Sequence, residues 1–162
     1  RMGGLGEQLA KLMSERVAAI SEDLASISEE RLREEARAIV AEAKSGNARV
    51  PGYGIPLHGM DPRAPKVLGI AKSEGTFGVF GRLGELVEDE LAEQRGGRRV
   101  PMNLDGVGAV VILDLGLDWR TTRMFLLTPR SVSMGAHYIE EQSQGTTWRH
   151  VPADWIEYDD GR

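Results

Sequence analysis

The sequence predicts an all-α fold with five or six helices. Apolar residues recur at three- and four-residue intervals along most of the chain, and residues that start or stop helices bound these segments. The alternation of strands and helices that marks a parallel sheet does not occur in the pattern. The 162 residues suffice for one domain or parts of two, and an apolar content of 41% supports a buried core.

The first two helices have the clearest pattern. Apolar residues at helical spacing mark the first one: Leu5, Leu9, Leu12, Met13 and Val17. The second begins after Ser28, a suitable N-cap, because Glu29 and Glu30 follow at the positive end of the helix dipole. An apolar stripe over residues 32–43 continues this helix, and Gly46 ends it.

Three further helices are expected after a proline- and glycine-rich stretch. Pro65 suits the first turn of a helix that runs to about Ser73 and ends at Gly75. Gly96-Gly97 closes the next helix, whose apolar positions are Phe77, Phe80, Leu83, Val87 and Leu91. Residues 104–115 are almost entirely apolar. A segment of this length can form a buried helix or a strand, and the helical context favours a helix.

The C-terminal part contains a long periodic segment over residues 120–144. Pro129 lies inside it, so we expect a helix with a kink near the proline. The tail, residues 146–162, lacks periodicity and is predicted to be extended. Gly106, Gly108 and Gly135 fall in apolar helical stretches, where each costs roughly 1 kcal/mol relative to alanine. Close helix packing, or close approach to a ligand, would offset that cost.

The composition argues against several classes of function. A net charge of −5 disfavours a general nucleic-acid binder, which needs a clustered basic face. Without cysteine there is no disulfide and no thiolate metal site, and the histidines at 58, 137 and 150 have no metal-binding spacing, so no metal is predicted. No apolar run approaches the ~18 residues of a membrane span, and no signal-peptide pattern is present. The expected localisation is cytoplasmic.

The stretch VPGYGIPLHGMDPR, residues 50–63, is constrained and non-helical. Its structural interpretation is a helix–helix connection stiffened by proline, and composition alone favours that interpretation. The functional interpretation starts from Gly52-Tyr53-Gly54, whose backbone groups a ligand could approach closely. Arg63, at the following helix start, could hold a carboxylate through two hydrogen bonds.

A second stretch, VPMNLDGVGAVVILDLG, residues 100–116, carries Asp105 at the opening of an apolar segment. An aspartate in this place is typical of a helix N-cap. A partly desolvated carboxylate also has a raised pKa and can act as a general base. Both interpretations of Asp105 stay open on the residues alone.

Arg130 and His137 lie seven residues apart in LLTPRSVSMGAHYIEE and are expected on one helix face. An arginine between apolar turns must reach water or bind an anion. A lone histidine on such a face is more often a hydrogen-bonded core residue than a catalyst.

Three motifs in order, VPGYG…DPR, PMNLDG and RSVSMGAHYIEEQ, resemble those of the citrate synthase family across residues 50–142. The branch that looks closest includes citryl-CoA lyases, and the WRHVPADWIEYDDG tail is similar to the ending of that branch. The resemblance implies a partial citrate synthase-like helical fold, roughly the C-terminal half of a subunit. It implies a small mobile domain over residues 1–116 and the C-terminal part of the large domain over residues 117–162.

The resemblance also implies functions for individual residues. Asp105 matches the aspartate that removes a proton from the methyl group of acetyl-CoA, or returns it in the cleavage direction. Arg63 and Arg130 match arginines that bind carboxylates of the oxaloacetate or citryl moiety, and Asn103 is assigned to the same substrate site. The segment that matches the coenzyme A loop consists of Val50, Pro51, Gly52, Tyr53 and Gly54.

The sequence departs from the family pattern at two histidine positions. Ile55 stands directly after GYG, where the family has a histidine, and Met2 aligns with the other one. His58 is the remaining candidate for a catalytic histidine.

Two classes of function stay open. One is an enzyme, an acyltransferase or a lyase, that forms or cleaves the C–C bond between acetyl-CoA and oxaloacetate. The other is a non-catalytic truncated homologue that keeps coenzyme A or carboxylate binding, or serves as an assembly module.

The implied ligands are coenzyme A, as acetyl-CoA or citryl-CoA, and a small carboxylate. Arg98 and Arg99, just before Pro101, would support coenzyme A binding. Half a subunit would leave apolar helix faces uncovered, so we expect a homodimer or a complex with a chain that supplies the missing N-terminal half. Neither nucleic acid nor a membrane is expected as a partner.

Overall fold

The computed structural model describes residues 4–21, 23–55, 59–146 and 152–155. Regular structure in these ranges is helical, apart from isolated bridge residues such as Tyr53 and Met102, which form an antiparallel bridge, so the all-α prediction is confirmed. The chain divides into two compact units, Arg1–Leu127 and Thr128–Arg162. No helix within the described ranges is long and apolar enough to cross a membrane.

Helices α1 (Gly4–Ile20) and α2 (Glu29–Ser45) lie where the sequence predicts them. The Ser28 hydroxyl accepts a hydrogen bond from the Arg31 N–H at 3.2 Å, which confirms the expected N-cap. Helix α2 ends at Gly46 as predicted. The apolar stripes of both helices, except for the exposed Leu5, enter one core, which includes Leu9, Met13, Leu32 and Ile39.

Helices α3 (Arg63–Ser73) and α4 (Val79–Glu93) follow in the predicted order. Helix α5 (Leu104–Asp114) packs against α1, α3 and α4 in the first unit. Its buried side chains are spread around the helix, which is typical of a core helix: Val107, Ala109, Val110, Ile112 and Leu113. The preference for a helix over a strand in this segment is therefore confirmed.

The carboxylate of Asp114, at the end of α5, caps the start of α4. It accepts hydrogen bonds from the N–H groups of Gly78, Phe80 and Gly81 at 2.8, 2.9 and 2.9 Å. The first N–H groups of a helix have no intrahelical partner, and a carboxylate both accepts their hydrogen bonds and suits the helix dipole. Burial raises the pKa of Asp114 above its usual value, and the three donors oppose that rise.

The segment predicted as one kinked helix is interrupted instead. It consists of a 3₁₀ turn at Trp119–Thr121, α6 (Thr122–Leu127), a second 3₁₀ turn at Thr128–Arg130 and α7 (Ser131–Gln144). Pro129 lies in the second turn. Because proline has no N–H and its ring crowds the preceding turn, a tight 3₁₀ connection replaces the expected continuous helix.

Thr146 and residues 152–155 of the tail belong to the described part of the chain. Ala153–Trp155 form a 3₁₀ turn, so the extended conformation expected there is wrong. Residues 147–151 and 156–162 lie outside the described part of the chain.

The boundary between the two compact units falls after Leu127, because α6 packs against α1 and α5 in the first unit. The assignment of residues 1–116 and 117–162 to the small and large domains of the family stays a prediction.

Candidate functional site

The loop after α2 lies against the segment that leads into α5. The Gly54 N–H donates to the Pro101 carbonyl oxygen at 2.8 Å, and the Asn103 N–H donates to the Gly52 carbonyl oxygen at 2.9 Å. Together with the bridge between Tyr53 and Met102, these bonds hold residues 52–54 antiparallel to residues 101–103. The loop and the start of α5 therefore form one structural element.

Two glycines allow the loop and the helix to touch through their backbones. Gly52 has φ +82°, a conformation that side-chain-bearing residues rarely adopt. A Cβ at Gly106 would lie 2.2 Å from the Gly52 carbonyl oxygen, which is far inside van der Waals contact. Close packing was one of two explanations that we offered for the glycines inside this helix. At Gly106 that explanation holds, and the segment packed against it is the predicted coenzyme A loop.

Asn103, predicted to bind substrate, holds the loop and the helix together. Its Nδ2 donates to the Gly54 carbonyl oxygen at 2.7 Å, and its Oδ1 accepts from the Gly106 N–H at 3.1 Å. Asn103 is therefore the N-cap of α5, and the N-cap interpretation of Asp105 is wrong. Asp105 is the second residue of α5 and lies partly exposed in its first turn, because the chain already becomes helical at Leu104.

Arg63 begins α3 and is bound by the carboxylate of Asp61. The guanidinium Nε and Nη2 donate to Oδ1 and Oδ2, both at 2.9 Å, and the Arg63 backbone N–H donates to Oδ1 at 3.1 Å. Asp61 Oδ2 also accepts from the Leu104 N–H at 3.0 Å, at the start of α5. One buried carboxylate, 2% exposed, thus connects the starts of α3 and α5. Sequence reasoning expected Arg63 to bind a ligand carboxylate and assigned no function to Asp61.

The charges of these groups act on one another. The hydrogen-bonded Asp61 carboxylate raises the pKa of Arg63, and the more distant charge of Asp105 adds to that rise. The guanidinium of Arg63 at the start of α3 and the carboxylate of Asp105 at the start of α5 are therefore close enough to interact electrostatically.

We expect the Asp61→Asn substitution to make stability less sensitive to acid. The Arg63 guanidinium and the two N–H donors lower the pKa of Asp61 to about 2. Since the unfolded value is about 3.9, the carboxylate stabilises the fold fully above about pH 4, and this stabilisation is lost as the pH falls through about 2. Urea unfolding at a series of pH values measures it. The free-energy difference between wild type and variant should shrink in this window, and a pH-independent difference would contradict the assignment.

Tyr53 fixes the other side of the loop. Its hydroxyl donates to the Gly84 carbonyl oxygen of α4 at 2.9 Å. Burial, with a smaller contribution from the charge of Glu88, raises the pKa of Tyr53 well above its usual value. Glu88 also accepts from Arg99 Nη2 at 2.6 Å and from the Met102 N–H at 3.1 Å. Arg99, expected near coenzyme A, is thus paired with a carboxylate.

A surface cavity of about 670 Å³ lies between α3, α4 and the segment around Pro101. Its lining is apolar at Met60, Leu68 and Met102 and charged around them, with three carboxylates and two guanidinium groups. Because carboxylates are in excess, the cavity is a poor match for phosphate groups.

The structure brings several predicted residues together. Val50, the loop 51–54, Arg63, Asn103 and Asp105 all belong to the first compact unit. Val50 is buried in its core, and residues 52–54 and 103 are hydrogen-bonded to one another at the start of α5. Arg130 belongs to the second unit, where it precedes α7. His58 and Met2, which the sequence analysis singled out, lie outside the described residues.

His137 does not have the environment of a core residue. Its side chain is 77% exposed, and Nδ1 lies 3.7 Å from Glu140 Oε2, so the core-histidine interpretation is wrong. No group of three or more histidine, aspartate or glutamate side chains that could hold a metal occurs among the described residues.

One expectation about the loop changes with this geometry, and one residue was not predicted. The Gly54 N–H and the carbonyl groups of Gly52 and Gly54, which were expected to be open to a ligand, make hydrogen bonds within the chain. Asp61 was missed, although a signal was present: an aspartate two residues before an arginine at a helix start can bind both the backbone N–H and the guanidinium of that arginine.

Comparisons with known proteins agree with this architecture. The chain is similar to citryl-CoA lyase from Hydrogenobacter thermophilus, with 25% identity and a TM-score of 0.67, over 96% of this chain and 56% of that one. It is similar in fold to citrate synthase from Thermotoga maritima MSB8, with 19% identity and a TM-score of 0.64, over 98% of this chain and 40% of that one. The chain thus spans about half the length of these relatives.

No curated protein sequence matches the chain significantly. The family model described as citrate synthase, C-terminal domain, matches residues 2–151. Since that match covers most of the sequence, the chain belongs to the citrate synthase family.

Proposed function

We propose that this chain acts on coenzyme A thioesters, as part of a protein that forms or cleaves the C–C bond between acetyl-CoA and oxaloacetate. The observation that carries the proposal is the meeting of two helix starts beside one loop. Arg63 opens α3, Asp105 lies in the first turn of α5, and the carboxylate of Asp61 is hydrogen-bonded to both helix starts. The loop around Gly52, which precedes both residues in sequence, packs on α5.

The chemistry needs these groups close together. The proton next to a thioester carbonyl is weakly acidic, so a carboxylate base must be placed against it, and Asp105 is the candidate. A second substrate that carries carboxylates needs guanidinium groups to orient it, and Arg63 is the candidate in the first unit. Arg130 is proposed as a second carboxylate-binding arginine on the resemblance of its motif.

The remainder of the protein is proposed to come from further polypeptide. The citryl-CoA lyase and citrate synthase relatives are about twice as long as this chain. Large apolar side chains are exposed on it, including Met124, Phe125, Val132 and Ile139. Such surfaces normally mark contacts, so we propose either a homodimer or a complex with a chain that supplies the N-terminal half, in the cytoplasm.

A second candidate function is a non-catalytic homologue that keeps ligand binding or assembly. Ile55 favours it, because an apolar side chain directly after Gly54 cannot donate a hydrogen bond to a substrate carbonyl. His58 would then have to supply the donor for any catalysis by the first candidate.

Exchange of the acetyl-CoA methyl protons with solvent deuterium tests the proposal. Intact-mass analysis of the native particle first establishes its polypeptide composition. Wild type is expected to exchange slowly, and Asp105→Asn should reduce the rate by about 100-fold or more, because asparagine keeps the size but not the basicity. Coenzyme A binding, measured by calorimetry, should stay nearly unchanged.

Asp118→Asn is the control, since Asp118 also lies at a helical start but is exposed and follows the end of α5, whereas the proposed base lies at its beginning. It should exchange at the wild-type rate. Wild-type exchange no faster than the protein-free sample, in a complete assembly, would decide for the non-catalytic homologue.

A further inference from the structure

We propose that Asp61 is a positioning residue: it orients the Arg63 guanidinium toward a substrate carboxylate and holds Arg63 in a defined position relative to the start of α5. This inference rests on the proposed function, since it concerns how the chain would hold the carboxylate substrate.

The geometry around Asp61 leaves Arg63 little freedom. Its guanidinium is bound through two atoms at 2.9 Å, and the same carboxylate is attached to the Arg63 backbone and to the Leu104 N–H. Because Asp61 is 2% exposed, water competes weakly for these bonds. Rotation of the Arg63 side chain away from Asp61 would leave a buried carboxylate without its cation.

The two hydrogen bonds from the Arg63 guanidinium to Asp61 determine which edge of the guanidinium can meet a ligand. Nε and one side of Nη2 face Asp61, so the edge formed by Nη1 and the outer side of Nη2 remains for a second carboxylate. The Arg63 side chain is 53% exposed, so this edge is within reach of a ligand. The substrate carboxylate is assigned to that edge.

The chain contains a second aspartate–arginine pair with the same local geometry. Asp118 accepts from the Arg120 backbone N–H and Nε at 2.8 Å each, and from Nη2 at 2.5 Å. The Asp118 side chain is 43% exposed, whereas that of Asp61 is 1% exposed. The bond to Leu104 and the burial thus distinguish Asp61 from an ordinary local turn.

The test measures oxaloacetate binding by calorimetry with the full chain in its native particle. Four proteins are compared with wild type: Asp61→Asn, Arg63→Gln, the double variant and Asp118→Asn. Asparagine at 61 can still accept from Leu104 but presents an NH₂ group to the guanidinium, which removes the fork. Asp61→Asn should weaken binding by about tenfold or more, and Asp118→Asn by less than about twofold.

The double variant separates positioning from a structural effect. If Asp61 acts through Arg63, the double variant binds no more weakly than Arg63→Gln alone. Unchanged affinity of Asp61→Asn, or a further tenfold loss in the Arg63→Gln background, would overturn the proposal. Absence of binding by wild type would instead count against the proposed function itself.

Should Asp61→Asn fail to fold, Arg63→Lys takes its place. Lysine keeps the charge but cannot make the two-atom fork, so its affinity should fall close to that of Arg63→Gln. Wild-type affinity in Arg63→Lys would show that orientation of the guanidinium is irrelevant.

Discussion

Replacement of Gly106 by alanine is expected to destabilise the first unit by about 3 kcal/mol. The new methyl group would lie 2.2 Å from the Gly52 carbonyl oxygen, and a backbone atom cannot move aside as a flexible side chain can. Either α5 or the loop must shift, and the loop's bonds to Pro101 and Asn103 oppose the shift. Urea unfolding followed by circular dichroism measures the loss.

Gly108 provides a matched control in the same helix. A Cβ there meets no atom within 4 Å in the described part of the chain. Gly108→Ala should therefore stabilise the protein by up to about 1 kcal/mol, since alanine is the better helix former. Equal stability changes for the two variants would mean that contact with Gly52 does not restrict position 106.

Asp114→Ala is expected to destabilise the protein by a similar amount, about 3 kcal/mol. Three backbone N–H groups at the start of α4 would lose their acceptor, and two of them, on Phe80 and Gly81, belong to buried residues. Asp114→Asn should cost less, because an amide oxygen in the place of Oδ2 can still accept from the N–H groups of Gly78 and Gly81, while the NH₂ group faces the Phe80 N–H. Thermal unfolding of both variants measures the effect.

Glu93→Ala is the control for Asp114, because Glu93 lies exposed in the last turn of α4, the helix whose start Asp114 caps. Its stability should stay within about 0.5 kcal/mol of wild type. If Asp114→Ala changed stability as little, the start of α4 would not depend on this carboxylate.

Asp114 and Asp61 fix helix starts in the same way. Each carboxylate accepts N–H bonds from a helix other than its own segment, Asp114 from α4 and Asp61 from α5. The position of the proposed base thus depends on Asp61 and on the N-cap Asn103. Carboxylate–backbone contacts of this kind set helix orientation more narrowly than apolar packing alone.

The sequence by itself determined the helical class, most helix bounds and the family. Local chemistry decides these features: Ser28 caps a helix through its own hydroxyl, and a run of apolar residues over 104–115 has to be buried. The motif order around Arg63 and Asp105 likewise depends on the chain alone. That motif order was enough to recognise the resemblance to the citrate synthase family, and the family match confirms it.

Tertiary structure decided what those residues contact. Asn103 caps α5 in place of Asp105 because the loop is hydrogen-bonded to residues 101–103. Gly106 cannot carry a side chain because the backbone of Gly52, 54 positions earlier in the chain, lies against it. Asp114 could be assigned to α4 only once the end of α5 was seen beside it. These contacts join residues distant in sequence, so no periodicity or local propensity encodes them, and the packing of whole helices alone brings them within hydrogen-bond range.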